Sequence, residues 1–284
     1  MKPSIPTRLK NKVFAKCNAT SQWTKRKVHE LKYGKQFFLI YSMGKVGSTT
    51  AYTFLKKQYP FIPVHHVHFL SDYWLKEKLP KLDSFFHDNI KAAASVFKSL
   101  AKHPDYRLKI ITMVREPMIR EISDIFQNWK GILDVKTVDE LTVDKLSLYL
   151  NGHNHDYVLN WFDSELKAYL GFDIYSFPFD KEKGYSIYKT ASADILCFQL
   201  EKMNACFEEA MKEFSGLKVA VTESSNRSET KAGKDTYKMI IKQYKASAEK
   251  IASLYNSKYV RHFYSEKDID GFVKKWSHDY CKLF

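Results

Sequence analysis

Phe37-Phe-Leu-Ile-Tyr-Ser-Met-Gly-Lys-Val-Gly-Ser-Thr-Thr50 is the stretch on which the reading of this chain turns. Phe37 to Tyr41 is an unbroken apolar and aromatic run, the pattern of a strand covered on both faces, as parallel strands are. The run stops at Ser42. Gly44 and Gly47 then bracket Lys45, and Ser48, Thr49 and Thr50 lead into Ala51-Tyr-Thr-Phe-Leu-Lys-Lys57, whose apolar spacing is helical. The stretch thus predicts a strand, a tight turn and a helix start. Such a turn gathers backbone N–H groups at the positive end of a helix, and glycine lets the main chain approach a ligand closely, so the stretch reads as an anion site. One lysine and three hydroxyls suit it to phosphate. It is not a Walker A loop: the lysine precedes the second glycine by two positions, and no Gly-Lys-Ser/Thr occurs in the chain.

Outward from this stretch, strands and helices alternate. Phe61 to Leu70 reads as a second strand, rich in β-formers, and 83–102 as a helix closed by His103-Pro104-Asp105. Arg107 to Val114 reads as a third strand, followed by Arg115-Glu116-Pro117, with proline placed for the first turn of a helix reaching about Trp129. Residues 139–170 are helical in pattern with a break at Asn151 to Asn154, and Gly171 is placed as a C-cap. Residues 172–188 form an aromatic, irregular loop with short strands. Asp194 to Leu200 is a fourth strand, Glu201 to Phe214 a helix, Leu217 to Val221 a short fifth strand, and 222–235 a polar, basic loop. Tyr237 to Tyr255 reads as one helix, and Ser265-Glu-Lys-Asp268 as a capping box before a last one. The alternation predicts an α/β class with a parallel sheet flanked by helices and helical additions at the C-terminal end.

The chain has 284 residues, 44% of them hydrophobic, enough for one full core. Cys17, Cys197, Cys206 and Cys281 show neither C-x-x-C spacing nor clustering, which points away from a zinc knuckle or disulfide scaffold and towards a reducing compartment. No run of about 18 apolar residues occurs, and the N-terminus has no continuous apolar core, so the expected location is the cytoplasm. Residues 1–36 hold ten Lys/Arg against the single Glu30, and so most of the net charge of +14. They read as a basic, solvated arm (1–36) ahead of one domain (37–284). Peripheral contact with an anionic membrane is the partner such an arm implies. Nucleic acid is not expected, since no zinc-finger, RRM or KH signature is present.

Two further motifs bear on chemistry. Arg115 stands at the end of the third strand, where open α/β sheets bind ligands, and Ser123 follows eight residues later. If the helix starts near Pro117, then Glu116, Arg120, Ser123 and Gln127 form one polar stripe, opposite Met118, Ile122, Ile125 and Trp129. On the second strand, alternation puts His66 and His68 on one face and His65 on the other.

K-x-G-[ST]-T at Lys45 to Thr49, with the Arg115/Ser123 pair, resembles the sulfotransferases that use 3′-phosphoadenosine 5′-phosphosulfate (PAPS). From about Phe37 to the end, the chain resembles the bacterial capsular polysaccharide synthesis proteins allied to that fold. The resemblance implies a sulfotransferase fold and transfer of a sulfuryl group from PAPS to a saccharide or glycolipid hydroxyl, leaving 3′,5′-adenosine bisphosphate. It implies donor binding by Gly44, Lys45, Val46, Gly47, Ser48, Thr49, Thr50, Arg115, Ser123 and Arg227, with Lys45 also catalytic and Arg115 and Ser123 on the 3′-phosphate. It puts the base at His66 or His68 and requires no metal. Thr50 departs from the small-molecule enzymes, which have an aromatic residue there, so adenine stacking must come from elsewhere. A P-loop-type kinase and a non-enzymatic polyanion-binding protein stand as alternatives; the first lacks Gly-Lys-Ser/Thr, and the second would make the basic arm the working part.

Overall fold

The structure, a computed structural model, describes residues 7–81, 87–217 and 233–277. Strand β1, Gln36–Tyr41, is buried along its whole length and has a parallel neighbour on each side. One is β2, Val64–Val67, and the other is β3, Arg107–Val114. Beyond β3 lies β5, Ala193–Gln199, also parallel; β4, Tyr185–Lys189, closes that edge antiparallel to β5. The order is β2-β1-β3-β5-β4.

The chain leaves β1 through helix α2, Ser48–Gln58, to reach β2 on one side. It returns through α3, His87–Lys102, to β3 on the other side of β1. Strand order therefore reverses at the C-terminal ends of β1 and β3, the place where open parallel sheets leave a crevice for ligands. The quoted loop and Arg115 both lie there. Phe37 to Tyr41, Ile110, Ile111 and Ile195 to Phe198 are fully buried, each large side chain contributing about 1.5–3 kcal/mol of hydrophobic stabilisation.

Helices α4 (Pro117–Ile132), α5 (Val143–Gly152) and α6 (Asp156–Trp161) follow β3. A π-helical stretch, Phe162–Lys167, continues α6 into α7, Ala168–Leu170. After β5 come α8 (Met203–Ser215), α9 (Lys234–Gln243), α10 (Ala248–Tyr255), α11 (Lys258–Phe263) and α12 (Glu266–Trp276). The third strand has the bounds expected of it. Gly171 and Gly216 end their helices in the left-handed conformation, and Ser265 with Asp268 makes the capping box.

Three expectations change. The basic arm is a helix: Thr7–Tyr33 is α1, whose side chains from 20 to 28 are mostly exposed and whose C-terminal part buries the His29 ring against Tyr59 and Phe61. Glu30 anchors the same turn, accepting from the Tyr106 hydroxyl and from Lys27 at 2.8 Å. The second strand is shorter than 61–70, because pairing with β1 lasts only from Val64 to Val67. The helix expected over 237–255 breaks at Tyr244, which turns extended and buries its ring; the Ser247 hydroxyl then caps α10 by accepting from the Lys250 N–H. The fifth strand and most of the basic loop lie outside the described residues, as does Arg227.

Candidate functional site

The loop from Ser42 to Gly47 is bent by two left-handed residues, Lys45 at φ 68° and Gly47 at φ 82°. Gly47 is needed twice over: its conformation disfavours a side chain, and a Cβ there would come within 2.5 Å of Leu200 Cδ1. A left-handed lysine costs roughly 1–2 kcal/mol, so neighbours must impose the shape. Three do. Arg115 Nη1 donates to the Lys45 carbonyl at 2.8 Å, Arg120 Nε donates to the Gly44 carbonyl at 3.1 Å, and the Gly44 N–H donates to the Tyr157 hydroxyl at 3.1 Å. Two guanidinium groups thus hold loop carbonyls, at the point where the N-terminal N–H groups of α2 begin. Left-handed residues in alternation with right-handed ones are also the geometry of a backbone anion nest.

Ser48, the first residue of α2, is buried and hydrogen-bonded to His66 Nε2 at 3.0 Å. His66 and His68 meet edge to face with ring centres 4.8 Å apart, whereas His65 points away and stacks on Phe37 at 5.3 Å. The histidine strand and the phosphate-type loop are thus in direct contact. His68 Nδ1 lies 2.6 Å from the Ser42 carbonyl oxygen, which can only accept. The proton is therefore on Nδ1, and the neutral ring presents Nε2 as its basic atom. Burial lowers the pKa of both rings. His66, with His68 adding to the effect, falls to about 3. For His68 burial comes first, the bond to Ser42 opposes it, and the charges of Lys45 and Arg120 lower it further.

One helix supports both parts. Tyr157 holds the loop, Trp161 Nε1 donates to the His68 carbonyl at 3.1 Å, and Glu165 accepts from the backbone N–H groups of Leu70 and Ser71 at 2.8 and 3.1 Å. Glu165 also takes the Ser71 hydroxyl at 2.7 Å and the hydroxyl of Tyr41 on β1. These residues are spaced by four. In an α-helix four residues overshoot a turn by about 40°. A π turn is wider, so four residues there fall short of a turn, and the π stretch brings Glu165 back into line.

The polar stripe on α4 is buried at its start and reaches solvent at Gln127. Glu116 is 2% and Arg120 3% exposed. Glu116 caps α4 by accepting from the Met118 and Ile119 N–H groups, both at 2.8 Å, and receives the Tyr255 hydroxyl. Arg120 lies over the Tyr157 ring at 4.7 Å and pairs with Glu121 and Asp124 at 3.2 and 3.3 Å. The Arg115 backbone is clamped by the Tyr259 hydroxyl, which accepts its N–H at 3.0 Å and donates to its carbonyl at 2.9 Å. Ser123 is half-buried, and its Oγ lies 3.1 Å from the Tyr237 hydroxyl. Of the residues expected at the site, Gly44 to Ser48, His66, His68 and Arg115 are joined by these contacts. Thr49 is exposed on the first turn of α2, Thr50 bonds back to the Gly47 carbonyl at 3.0 Å, and Ser123 is engaged by α9. Sequence reading gave no role to Tyr157, Trp161, Glu165, Tyr237 or Tyr259; an apolar helix bearing a lone inward glutamate was the available signal.

Residues 134–265, less than half of the chain, match the family model described as "Putative capsular polysaccharide synthesis protein". A search of curated proteins and one of solved structures returned no match. The matched stretch begins after the loop, the histidine strand, Arg115 and Ser123, and it contains Tyr157, Trp161, Glu165, Tyr237 and Tyr259. Over that stretch the chain is similar to proteins of capsular polysaccharide synthesis.

Proposed function

We propose that this protein is a sulfotransferase of capsule or cell-surface polysaccharide synthesis, taking PAPS at the 42–50 loop and a saccharide or glycolipid hydroxyl beside His68. The observation that carries the reading is the contact between a nest-like loop at the sheet's switch point and a histidine whose Nδ1 is tied to that same loop through Ser42. In the reaction the acceptor oxygen bonds to sulfur as the bond from sulfur to the bridging phosphate oxygen breaks, leaving negative charge on that phosphate. The Lys45 ammonium and the loop N–H groups suit the stabilisation of that charge. His68 Nε2 takes the hydroxyl proton. His66 is the weaker candidate for this task, because a pKa of about 3 leaves it little affinity for a proton near neutrality. Arg115 and Ser123 remain the residues proposed for the 3′-phosphate, and Arg227 a further donor-binding residue.

Helix α1 fits a peripheral place at an anionic membrane. Trp23 and Leu31 are 56% and 88% exposed, and with Lys27 between them they share one face. No helix among the described residues is long and apolar enough to cross a membrane. The deciding experiment is thermal stabilisation by three ligands, followed by incubation with labelled PAPS and a panel of envelope polysaccharides and glycolipids. Stabilisation by 3′,5′-adenosine bisphosphate without magnesium is expected, about 2.7 kcal/mol at a hundredfold excess over Kd. Stabilisation by ATP with magnesium alone, or by a heparin-like polymer alone, would replace this reading with the kinase or the polyanion binder.

A further inference from the structure

Beside the loop, and unused by the reaction just described, Glu121 of α4 faces His153 and His155 from the turn between α5 and α6. His155 Nδ1 lies 3.8 Å from one carboxylate oxygen of Glu121, and His153 Nε2 lies 3.8 Å from the other. One ligand atom from each of the three falls within 4.8 Å of the others. His155 is 1% and Glu121 3% exposed, and the two rings stand edge to face. Neither ring nitrogen of His155 has a hydrogen-bond partner among the described residues. Leaving a buried polar atom unsatisfied costs about 1–3 kcal/mol, and native interiors seldom tolerate it.

We infer that Glu121, His153 and His155 form a binding site for a zinc-class divalent ion. Two imidazoles and one carboxylate are a donor set that suits zinc and its borderline neighbours better than calcium or magnesium. The spacing is slightly wide of a closed coordination shell, and rotation of the His153 ring, whose side chain is 29% exposed, is the movement that would close it. Two cations are close: Lys250 Nζ donates to the His153 carbonyl at 2.5 Å, and the Arg120 guanidinium shares its charge between Glu121 and Asp124. The site departs from the metal-free expectation of the sequence without entering the sulfuryl transfer. An ion there would join α4 to the α5–α6 turn. It would also fix the neighbours on either side of it, since Arg120 holds the Gly44 carbonyl and Tyr157 accepts the Gly44 N–H.

The test is calorimetric and spectroscopic titration of the chelator-stripped full chain with Zn²⁺ and with Co²⁺, alongside thermal unfolding. One equivalent of each ion should bind, Co²⁺ should develop the visible bands of a low-coordinate site, and Zn²⁺ should raise Tm. His153→Ala and Glu121→Gln, checked for folding by circular dichroism, should each weaken binding at least tenfold and abolish most of the Tm rise. Because His153 is partly exposed, its variant decides the matter if Glu121→Gln does not fold. Absence of binding to the stripped wild type, or equal binding by wild type and folded His153→Ala, would overturn the assignment.

Discussion

Residues 36–132 and residues 134–265 play different parts in the candidate site. The first region supplies the groups suited to chemistry: a loop with a lysine, two adjacent histidines, and Arg115 at a strand end. The second supplies shape. Tyr157 and Trp161 each fix one backbone atom of the first region, and Tyr259 and Glu165 each fix two. The family match covers the second region, so the similarity to capsular polysaccharide synthesis proteins lies in the stretch that carries the supports and not in the loop or the histidine strand. A loop with a left-handed lysine needs such supports, and the two regions are legible only together.

The comparison is broken most directly by removing a support. Glu165→Leu leaves the N–H groups of Leu70 and Ser71 buried without an acceptor and should cost about 3–5 kcal/mol of stability, read as a urea midpoint. A loss under about 1 kcal/mol would mean that the second region does not hold the first. Lys45→Ala should do the reverse, leaving the fold intact while turnover of PAPS falls about 10²–10³-fold, with Lys45→Arg a partial rescue. Normal turnover in folded Lys45→Ala would end the sulfotransferase reading.

His68→Ala should lower turnover by about 10²-fold, and its pH profile is the sharper readout. The base acts when deprotonated, so activity rises with pH through its pKa. Because burial and the charges of Lys45 and Arg120 hold that pKa below its ordinary 6.5, the wild-type limb should lie below pH 6.5 and vanish in the variant. Persistence of the limb in His68→Ala moves the role to another group.

Tyr157→Phe sharpens the comparison, since it removes one hydroxyl that touches only the loop. Affinity for 3′,5′-adenosine bisphosphate should fall about tenfold, on the order of 1 kcal/mol, with little change in Tm. Unaltered affinity would make the support incidental. Ser123→Ala should have the smallest effect, about 0.5–1.5 kcal/mol on 3′,5′-adenosine bisphosphate and none on adenosine 5′-monophosphate. Calorimetry that shows equal losses for both nucleotides would remove Ser123, and its partner Tyr237, from recognition of the 3′-phosphate.

Much of the sheet was legible because its signals are local. Arg107 to Val114 reads as a strand from one continuous run, and Gly171, Gly216 and Ser265 mark helix ends through chemistry confined to a few residues. The loop was legible for the same reason. Its supports were not, because Tyr157, Trp161 and Glu165 bond to residues about a hundred positions earlier, and a tyrosine or tryptophan on an apolar helix announces nothing about its partner. Helix α1 was hidden by its lysines, whose charge reads as solvated whether or not a buried His29 pins the last turns. In the α4 stripe, Glu116 and Arg120 read only as polar, and that they are buried follows from partners far off in the chain or hidden in the backbone, a helix N-terminus and a loop carbonyl.

The π stretch at Phe162–Lys167 bears on how this helix can change over generations. Point substitutions at its outward positions leave the row of Tyr157, Trp161 and Glu165 aligned. A π turn is how a helix takes up one extra residue, so deleting one here returns it to an ordinary α turn and spares the rest of the helix the rotation of about 100° that a deletion in a plain α-helix imposes. A deletion within 162–164 should therefore be tolerated better than one between Tyr157 and Trp161, which would carry Glu165 away from Leu70 and Ser71. Length changes in a lineage should accordingly gather at this segment and not in α6.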